Sequence, residues 1–252
     1  MNKKNNTVLF IVEGEVAEPT ILNGILSDIG LCDNQIYSYK TNIYSLYHKL
    51  RDTFDDDEEY DLFTFIVDLE LEKNNPDNII KFKRKQISEI YLFFDYDGHD
   101  PEYSNEKISQ MIEIFNNETE NGKLYISYPM VEALKHIKKD NLDINNYLVE
   151  AKTRINYKNL VSLNTDYENL LTLSKRNWLF IISENLKRCL FLFELKKSID
   201  YAIYNNIINQ KSIFNKQLDK YILKEEKVLV LSAFPFFLLE YFGEEFFSWV
   251  VS

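Results

Sequence analysis

The chain of 252 residues is poor in cysteine, glycine and proline, with 2 Cys, 6 Gly and 5 Pro. Its two cysteines, Cys32 and Cys189, stand far apart and supply neither a disulfide framework nor a paired metal-binding motif. A composition with 45% hydrophobic and 15% aromatic residues excludes an intrinsically disordered chain. The sequence therefore predicts a folded protein with a substantial core.

Long hydrophobic runs are also missing. The longest largely apolar stretch, Val228–Leu239, is interrupted by Ser232 and Pro235 and is shorter than the roughly 18 residues that a membrane span requires. The first apolar run, Val8–Val12, is too short for the apolar core of a secretory signal. We therefore expect no membrane association and a cytoplasmic location.

Positive charge is in deficit, since 29 Lys and Arg stand against 40 Asp and Glu and the net charge is -11. This balance disfavours an extended basic groove for duplex nucleic acid, because phosphate affinity comes mainly from lysine and arginine. It remains compatible with a small or metal-bridged nucleic-acid site. Local basic islands occur at Lys81–Lys85, around Lys135, at Lys187–Arg188 and at Lys196–Lys197, and solvated surface lysines are the simpler explanation for them.

The first half of the chain alternates strand and helix patterns, which is typical of α/β proteins. The continuous apolar runs Val8–Val12 and Ile90–Phe94 predict central strands of a parallel sheet that is covered on both faces. Weaker patterns predict two further strands at Gln35–Tyr39 and Leu124–Ser127. We therefore predict a mainly parallel sheet that is flanked by helices.

Two regions follow from these patterns. Residues 1–140 are predicted to form the α/β domain, with a helical insertion near residues 55–88. Residues 141–252 show mostly helical periodicity and are predicted to form a helical C-terminal domain. Within it, the aromatic segments Trp178–Ile182 and Phe234–Phe247 are expected to pack against one another or to bind a partner.

Three acidic residues follow the two clearest strands, at the strand ends where open α/β sheets place their active sites. Glu13 comes directly after Val8–Val12, and Asp95 and Asp97 come after Ile90–Phe94. Alternate side chains of an extended segment share a face, so Asp95 and Asp97 are predicted to point to the same side. If the two strands are neighbours, three carboxylates crowd one crevice, and Mg²⁺ or Mn²⁺ would relieve their repulsion.

These motifs carry a resemblance to a known family. The segments Val8–Glu15, Glu18–Pro19 and Phe93–Asp97 resemble the TOPRIM domain of topoisomerases, primases and related nucleases. The form Glu-Gly-Glu-x-x-Glu-Pro and the later Tyr128–Leu134 are similar to stand-alone TOPRIM proteins of bacterial anti-phage systems, such as the RloB-like and abortive-infection groups and the PARIS effector. The resemblance covers about residues 7–140, and its two motifs are further apart than in the most compact members.

The resemblance implies a Mg²⁺-dependent nuclease. In that family the glutamate after the first strand is a general acid or base or a metal ligand, a role that falls on Glu13. The Asp-x-Asp pair holds Mg²⁺, which implicates Asp95 and Asp97. Glu132 matches a glutamate of the narrower group and would complete the cation site or bind substrate.

The same resemblance implies a toxic, growth-arresting effector of anti-phage defence that works with a separate ATPase acting as sensor or inhibitor. The chain itself has no Walker A pattern, so it cannot supply P-loop nucleotide hydrolysis. Its net acidity with local basic islands favours a structured RNA such as tRNA over long duplex DNA. Assembly into a homo-oligomer stays open.

Two other interpretations remain open. Ile90–Phe94 followed by Asp95-x-Asp97-Gly98 also resembles the first motif of haloacid-dehalogenase-type phosphatases, in which Asp95 would be the nucleophile and Asp97 the acid or base. That motif normally begins its domain, and the interpretation leaves Glu13 without a role. The other alternative is a noncatalytic interaction module, in which the sheet is a scaffold and the aromatic C-terminal segment forms an interface.

Other polar residues near the motifs are weaker candidates. Glu15 and Glu18 follow Glu13 closely but lack a clear chemical role, and whether either takes part stays open. The three histidines, His48, His99 and His136, show no metal-ligand spacing. Of these, only His99 is a candidate neighbour of the Asp-x-Asp pair.

Overall fold

The computed structural model describes residues 7–29, 34–54, 60–72, 83–153, 156–196 and 199–251. Three features of the sequence lie outside these ranges, namely Cys32, the acidic run Asp55–Glu59 and residues 78–82 of the predicted insertion. Within the described part of the chain, no helix combines the length and the apolar character that crossing a membrane requires.

The described strands are β1 (Thr7–Val12), β2 (Asn34–Ser38), β3 (Ile87–Asp95), β4 (Asn116–Asn117), β5 (Gly122–Ser127), β6 (Leu148–Glu150) and β7 (Lys227–Leu229). The described helices are α1 (Ala17–Ile29), α2 (Ile43–Thr53), α3 (Leu62–Glu72), α4 (Asn105–Ile114), α5 (Tyr157–Leu163), α6 (Lys175–Leu192), α7 (Tyr201–Ile207), α8 (Gln210–Gln217), α9 (Leu223–Glu225) and α10 (Ala233–Val251). Short 3-10 turns occur at Arg84–Gln86, Val131–Lys135, Ile144–Tyr147 and Leu170–Thr172, and a π-helical turn occurs at Leu218–Ile222.

A five-stranded, mainly parallel sheet has the strand order β2-β1-β3-β5-β4, and helices flank it. Strand β1 pairs in parallel with both β2 and β3, so that Val12 lies opposite Ser38 on one side and Phe93 on the other. Strand β4 runs antiparallel to β5. Every residue of β1 is buried, as expected for a central strand that is covered on both faces. The predicted α/β architecture with a mainly parallel sheet is therefore confirmed.

The strand that carries Asp95 is longer than predicted. It covers Ile87–Asp95 rather than Ile90–Phe94, so that Asp95 is its last residue instead of the first residue beyond it. The extension at its start includes the half-buried Ser88 and Glu89, whose polarity hid it from a search for apolar runs.

The sequence after Pro129 predicts a helix around Val131–Lys138, and this prediction is wrong, because the structure has only the 3-10 turn Val131–Lys135 there. Side chains from elsewhere donate to carbonyl groups at the end of this turn. The hydroxyl of Thr165 donates to the carbonyl of Lys135, and the guanidinium of Arg188 donates to the carbonyl of His136. These contacts end the turn and hold its last residues in place.

The chain divides into two compact units that interleave along the sequence. The first unit comprises residues 1–93 and 106–124, and the second comprises 94–105 and 125–252. This division does not use the predicted domain boundary near residue 140, and that boundary stays a prediction. Asp95, Asp97 and Glu132 belong to the second unit, whereas Glu13 belongs to the first.

The first unit packs helices with apolar stripes beside the strands. In α1 the buried apolar residues include Ile21, Leu22, Ile25 and Leu26, which recur at helical spacing along one face. The rings of Phe10 in β1 and Tyr91 in β3 stack with their centroids 5.9 Å apart. Aromatic packing of this kind adds to the burial of apolar surface in the core.

The second unit contains the aromatic C-terminal segments. Helices α6 and α10 contact one another, so the expectation that their aromatic segments pack together is confirmed. The same unit also has a two-stranded antiparallel sheet, β6 with β7, in which Leu148 lies opposite Leu229. The sequence has an ambiguous strand pattern at Val228–Leu231, which overlaps β7, whereas β6 was not predicted because three residues are too few to leave a periodic pattern.

Two buried glutamines complete backbone hydrogen bonding in the second unit. The amide of Gln217 donates to the carbonyl of Leu229 at 2.7 Å and accepts from the backbone N–H of the same residue at 2.9 Å. Gln210 accepts from the backbone N–H of Ile126 in β5 at 3.1 Å. These side chains satisfy strand groups that would otherwise be buried without partners.

Candidate functional site

The backbone of Glu13 is placed by the sheet. Its N–H donates to the carbonyl of Phe93 at 3.1 Å, so the parallel pairing of β1 with β3 continues one residue beyond β1. Its carbonyl accepts from the N–H of Lys40 at 2.9 Å. The side chain of Glu13 is half-buried at the carboxyl end of β1, the end at which the sequence predicted it.

The other acidic residues of this loop have structural partners. Glu18 is 5% exposed, and its carboxylate accepts from the N–H of Gly14 at 3.1 Å. A Cβ at Gly14 would lie only 2.7 Å from this carboxylate, so a larger residue there would displace the end of the Glu18 side chain. Glu15 is exposed and pairs with Lys40 at 2.6 Å. The contacts of both glutamates therefore stabilise the loop after β1. Glu18 also lies in the first turn of α1, where a negative charge interacts favourably with the helix dipole.

Asp95 and Asp97 lie in a segment that is hydrogen-bonded to the end of β5 and to the loop after it. The N–H of Tyr96 donates to the carbonyl of Ser127 at 3.0 Å, and the N–H of Asp97 donates to that of Pro129 at 3.2 Å. Asp95 is buried, with 7% exposure. The backbone hydrogen bonds of Tyr96 and Asp97 therefore limit the movement of this segment.

The extended conformation assumed for this segment ends before Asp97, whose φ of 41° lies in the left-handed region. Aspartate tolerates that region better than most residues. The carbonyl of Asp97 accepts from the N–H of Asp100 at 2.9 Å, which forms a tight turn. Side chains alternate between two faces only along an extended backbone. The prediction that Asp95 and Asp97 point to the same side therefore loses its basis.

Gly98 lets this turn pack closely against the rest of the second unit. A Cβ on Gly98 would lie 2.5 Å from the carbonyl oxygen of Ala151 and 2.6 Å from the ring of Tyr96. Only a residue without a side chain fits between them. Close packing on both sides keeps the backbone next to Asp97 in place.

The side chain of Asp97 lies in an unfavourable environment for a negative charge. It is 17% exposed, and its Oδ1 atom is buried without a hydrogen-bond partner. Burial is the largest influence and raises the pKa of Asp97; of the neighbouring charges, His99 and Lys158 lower this pKa, whereas Asp100 and Glu132 raise it. The Nδ1 atom of His99 lies 4.0 Å from Oδ1 of Asp97, so His99 is the neighbour that the sequence suggested.

Glu132 is the second carboxylate with an unsatisfied oxygen. It lies in the 3-10 turn Val131–Lys135 with its side chain 11% exposed, and its Oε2 atom is buried without a hydrogen-bond partner. Its other oxygen is 3.6 Å from the ammonium group of Lys158. After burial, the negative charge of Glu132 is one of the influences that raise the pKa of Asp97.

These two buried oxygens, Oδ1 of Asp97 and Oε2 of Glu132, fit a hard cation. Leaving them without partners is costly in a buried environment, and Mg²⁺ prefers oxygen ligands of this kind. Within the described ranges, no three or more His, Cys, Asp or Glu side chains are grouped so that they could hold a metal ion. Mg²⁺ often takes only one or two carboxylates, and its remaining ligands are water and substrate phosphate.

Asp95, Asp97 and Glu132 all belong to the second unit, and the charges of Glu132 and Asp95 add to the effect of burial in raising the pKa of Tyr157. Glu13 lies in the other compact unit. Its predicted part in a cation site therefore stays a prediction.

Sequence reasoning missed a buried polar cluster beside Glu132. The hydroxyl of Tyr157 lies 3.0 Å from Nδ1 of His136, and the guanidinium of Arg188 donates to the carbonyl of His136 at 2.9 Å. Arg188 is 3% exposed, so the interpretation of Lys187–Arg188 as a surface basic island is wrong for the arginine. No local pattern marks these residues, because their contacts join positions 21 and 52 residues apart.

No family model, curated protein or solved structure matches the chain. The TOPRIM resemblance therefore depends on the motifs that carry it.

Proposed function

We propose that the protein is a Mg²⁺-dependent endonuclease that cleaves nucleic-acid phosphodiester bonds. Asp97 and Glu132 are the main metal ligands in this proposal, Asp95 is a further ligand, and Glu13 is the general acid or base or an additional ligand. The observation that carries the proposal is that Asp97 and Glu132, both half-buried, each have one buried oxygen without a hydrogen-bond partner. Mn²⁺ has similar ligand preferences and would serve as a probe of the same site.

The residues of the chain have separate roles in this proposal. Asp97 and Glu132 present desolvated oxygens, which bind a cation more strongly than solvated ones do. Glu13 moves a proton to or from the reacting oxygens, a role open to a half-buried carboxylate at a strand end. A bound Mg²⁺ would neutralise charge on the phosphate and stabilise the leaving oxygen.

Lys158 supports a phosphate-containing substrate. Its side chain is 70% exposed and its ammonium group lies beside Glu132, so it can turn towards a phosphate without losing buried contacts. The basic islands give less support than the sequence suggested. Lys138 pairs with Asp166 at 2.9 Å, and Lys187 pairs with Glu184 at 2.6 Å.

A structured RNA such as tRNA is the substrate that we propose, because an acidic chain with only local basic islands is poorly suited to long duplex DNA. The role as a toxic effector of anti-phage defence, acting with a separate ATPase, is proposed from the TOPRIM resemblance. Copurification of the tagged chain with the products of neighbouring genes tests the ATPase partner. Recovery of the chain alone in those experiments would contradict it.

The phosphatase alternative is less compatible with the surroundings of Asp95. An aspartate nucleophile must approach phosphorus directly, whereas Asp95 is the last residue of β3 and only 7% exposed. Trapping a covalent phosphate on Asp95 would nevertheless favour the phosphatase over the nuclease.

The test of the proposed function is cleavage of tRNA and of plasmid DNA by the purified chain, with Mg²⁺ and with a chelator. Wild type is compared with Glu13→Gln and Asp97→Asn, and the matched control is Glu15→Gln, which changes an exposed glutamate of the Glu13 loop. We expect Mg²⁺-dependent cleavage by wild type and the control, and little or none by the other two variants. Equal cleavage by all four proteins would overturn the proposal.

A further inference from the structure

The turn Val131–Lys135, which carries Glu132, is contacted at two points by the start of α5. Near the beginning of the turn, the ammonium group of Lys158 lies 3.6 Å from Oε1 of Glu132. Just after the end of the turn, the hydroxyl of Tyr157 lies 3.0 Å from Nδ1 of His136. Tyr157 and Lys158 are consecutive residues, so one helix end contacts both sides of the segment that places Glu132.

Arg188 of α6 holds the same segment from another side. Its guanidinium donates to the carbonyl of His136 at 2.9 Å and to that of Val230 at 3.4 Å. The group also lies over the ring of Tyr147, 3.6 Å from the ring centroid. Three separate parts of the second unit therefore meet at one side chain, and one of them continues directly into the turn of Glu132.

Arg188 is unusual because it is buried without a paired carboxylate. None of the described acidic residues forms an ion pair with it, and its Nε atom has no hydrogen-bond partner. Glu184, which lies on the same helix, pairs with Lys187 instead, at 2.6 Å. Two backbone carbonyls and the ring of Tyr147 compensate the charge instead, so Arg188 fixes the positions of the segments that carry them.

The remaining members of the cluster are electrically neutral. Burial, and after it the charge of Arg188, lowers the pKa of His136 to about 4. Burial also raises the pKa of Tyr157 well above its ordinary value. The phenol therefore keeps its proton at neutral pH and donates it to Nδ1 in one tautomer of His136.

The carboxylate pair needs such support. The N–H of Asp97 donates to the carbonyl of Pro129 at 3.2 Å, and Glu132 follows shortly after Pro129, so the two like charges lie in adjoining segments and repel each other. A 3-10 turn of five residues has few hydrogen bonds of its own with which to resist this repulsion. Contacts from α5 and α6 supply the resistance.

We propose that Tyr157, His136 and Arg188 are positioning residues that keep Glu132 beside Asp97, so that the unpartnered oxygens of both carboxylates face one cation. The inference deepens the proposed function and rests on its metal site, but it does not require cleavage. It assigns a use to a buried cluster that the proposed chemistry leaves unexplained.

The closing experiment measures Mn²⁺ binding to the full chain by calorimetry, with binding lost in Asp97→Asn assigned to the site. Tyr157→Phe removes one hydroxyl and keeps the ring. The matched control is Tyr204→Phe, which removes a hydroxyl from another buried tyrosine, in α7. We expect Tyr157→Phe to weaken Mn²⁺ binding by about tenfold, as loss of a supporting contact does at other metal sites, and Tyr204→Phe to leave it unchanged.

A double-mutant cycle separates positioning from general stability. Glu132→Gln is measured in wild type and in Tyr157→Phe, and its effect on Mn²⁺ affinity is expected to shrink in the second background, where Glu132 is already displaced. Arg188→Lys, which keeps the charge but loses the planar fork, is expected to lie between wild type and Arg188→Met. Arg176→Met, at the exposed start of the same helix, is the control for loss of a guanidinium.

The results distinguish the inference from the proposed function. If wild type binds Mn²⁺ but cleaves no nucleic acid, the nuclease proposal fails and the positioning proposal stands. If Tyr157→Phe lowers only the melting temperature and binds Mn²⁺ as Tyr204→Phe does, the positioning proposal is overturned and the nuclease proposal stands. If wild type does not bind Mn²⁺, both are overturned.

Discussion

The loop after β1 and the loop after β3 both place carboxylates at the end of a strand, but the carboxylates of the two loops differ in their hydrogen-bond partners. In the first loop Glu18 accepts from the N–H of Gly14, and Glu15 pairs with Lys40. In the second loop Asp97 has a buried oxygen without a hydrogen-bond partner. Glu132, which interacts with Asp97, has another.

This difference separates structural acids from candidate functional acids. Glu18 gains stability from its contacts, because a buried carboxylate that accepts a backbone N–H is partly compensated for its loss of solvent. Asp97 lacks that compensation, and unsatisfied buried groups in folded proteins are rare enough to call for an explanation. An acidic residue after a strand is therefore a weak indicator by itself, and its hydrogen bonds are the better one.

Asp97→Asn is the variant with the largest expected effect. Removal of a proposed ligand should weaken Mn²⁺ binding and cleavage at least about 100-fold, beyond the loss caused by a supporting residue. The same change should stabilise the metal-free chain by about 1 kcal/mol, because it removes a buried charge while asparagine tolerates the left-handed backbone. Calorimetry and urea unfolding measure the two effects. A destabilised variant that still binds Mn²⁺ would contradict the assignment.

Glu18→Ala should have the opposite profile. Loss of the carboxylate leaves the N–H of Gly14 without its partner and should destabilise the chain by about 1–2 kcal/mol, with unchanged Mn²⁺ affinity. In a chain of this size the melting temperature would fall by roughly 3–6 °C. Glu18→Gln, which can still accept the bond, should recover part of the loss. A large fall in Mn²⁺ affinity would place Glu18 in the site instead.

The raised pKa of Asp97 predicts a pH dependence of stability. Because the folded state binds this proton more tightly than the unfolded state, the contribution of Asp97 to stability falls as pH rises above about 4, the ordinary aspartate value. The stability advantage of Asp97→Asn over wild type should therefore be largest at neutral pH and shrink towards pH 4. Urea unfolding of both proteins, without divalent ions, measures the difference. An advantage that grows towards low pH would mean that the pKa is lowered.

Glu15→Gln should have the smallest effect. Its ion pair with Lys40 joins two exposed side chains, and solvent screens such pairs strongly. We expect the melting temperature, Mn²⁺ affinity and cleavage to match wild type within error. A loss of cleavage with normal folding would show that the first loop contributes more to the site than Glu13 alone.

The sequence predicted the strands that are buried on both faces. Strands β1 and β3 appear as continuous apolar runs, and Asp95 and Asp97 were found because they follow such a run. The interaction of Asp97 with Glu132 was less accessible, since the left-handed backbone of Asp97 has no signature in the sequence. Aspartate at that position is compatible with an extended segment as well.

The supporting cluster could not be predicted at all. Tyr157 is one of 17 tyrosines, and Arg188 stands in a helix next to Lys187, where an exposed position is the ordinary expectation. Their importance comes from contacts with His136 that join distant parts of the chain. Short strands such as β6 were missed for a related reason, because their pairing partner is far away in the sequence.

The glutamine that pairs with Leu229 has a consequence for association between chains. A strand edge with free N–H and carbonyl groups is a template on which a second polypeptide can add. Gln217 uses both groups of Leu229, so that position is closed to an incoming strand by a single side chain. Replacement of Gln217 by leucine would preserve much of the packing volume but leave the N–H and carbonyl groups of Leu229 without this partner. A second chain could then pair with them during refolding, and self-assembly should increase.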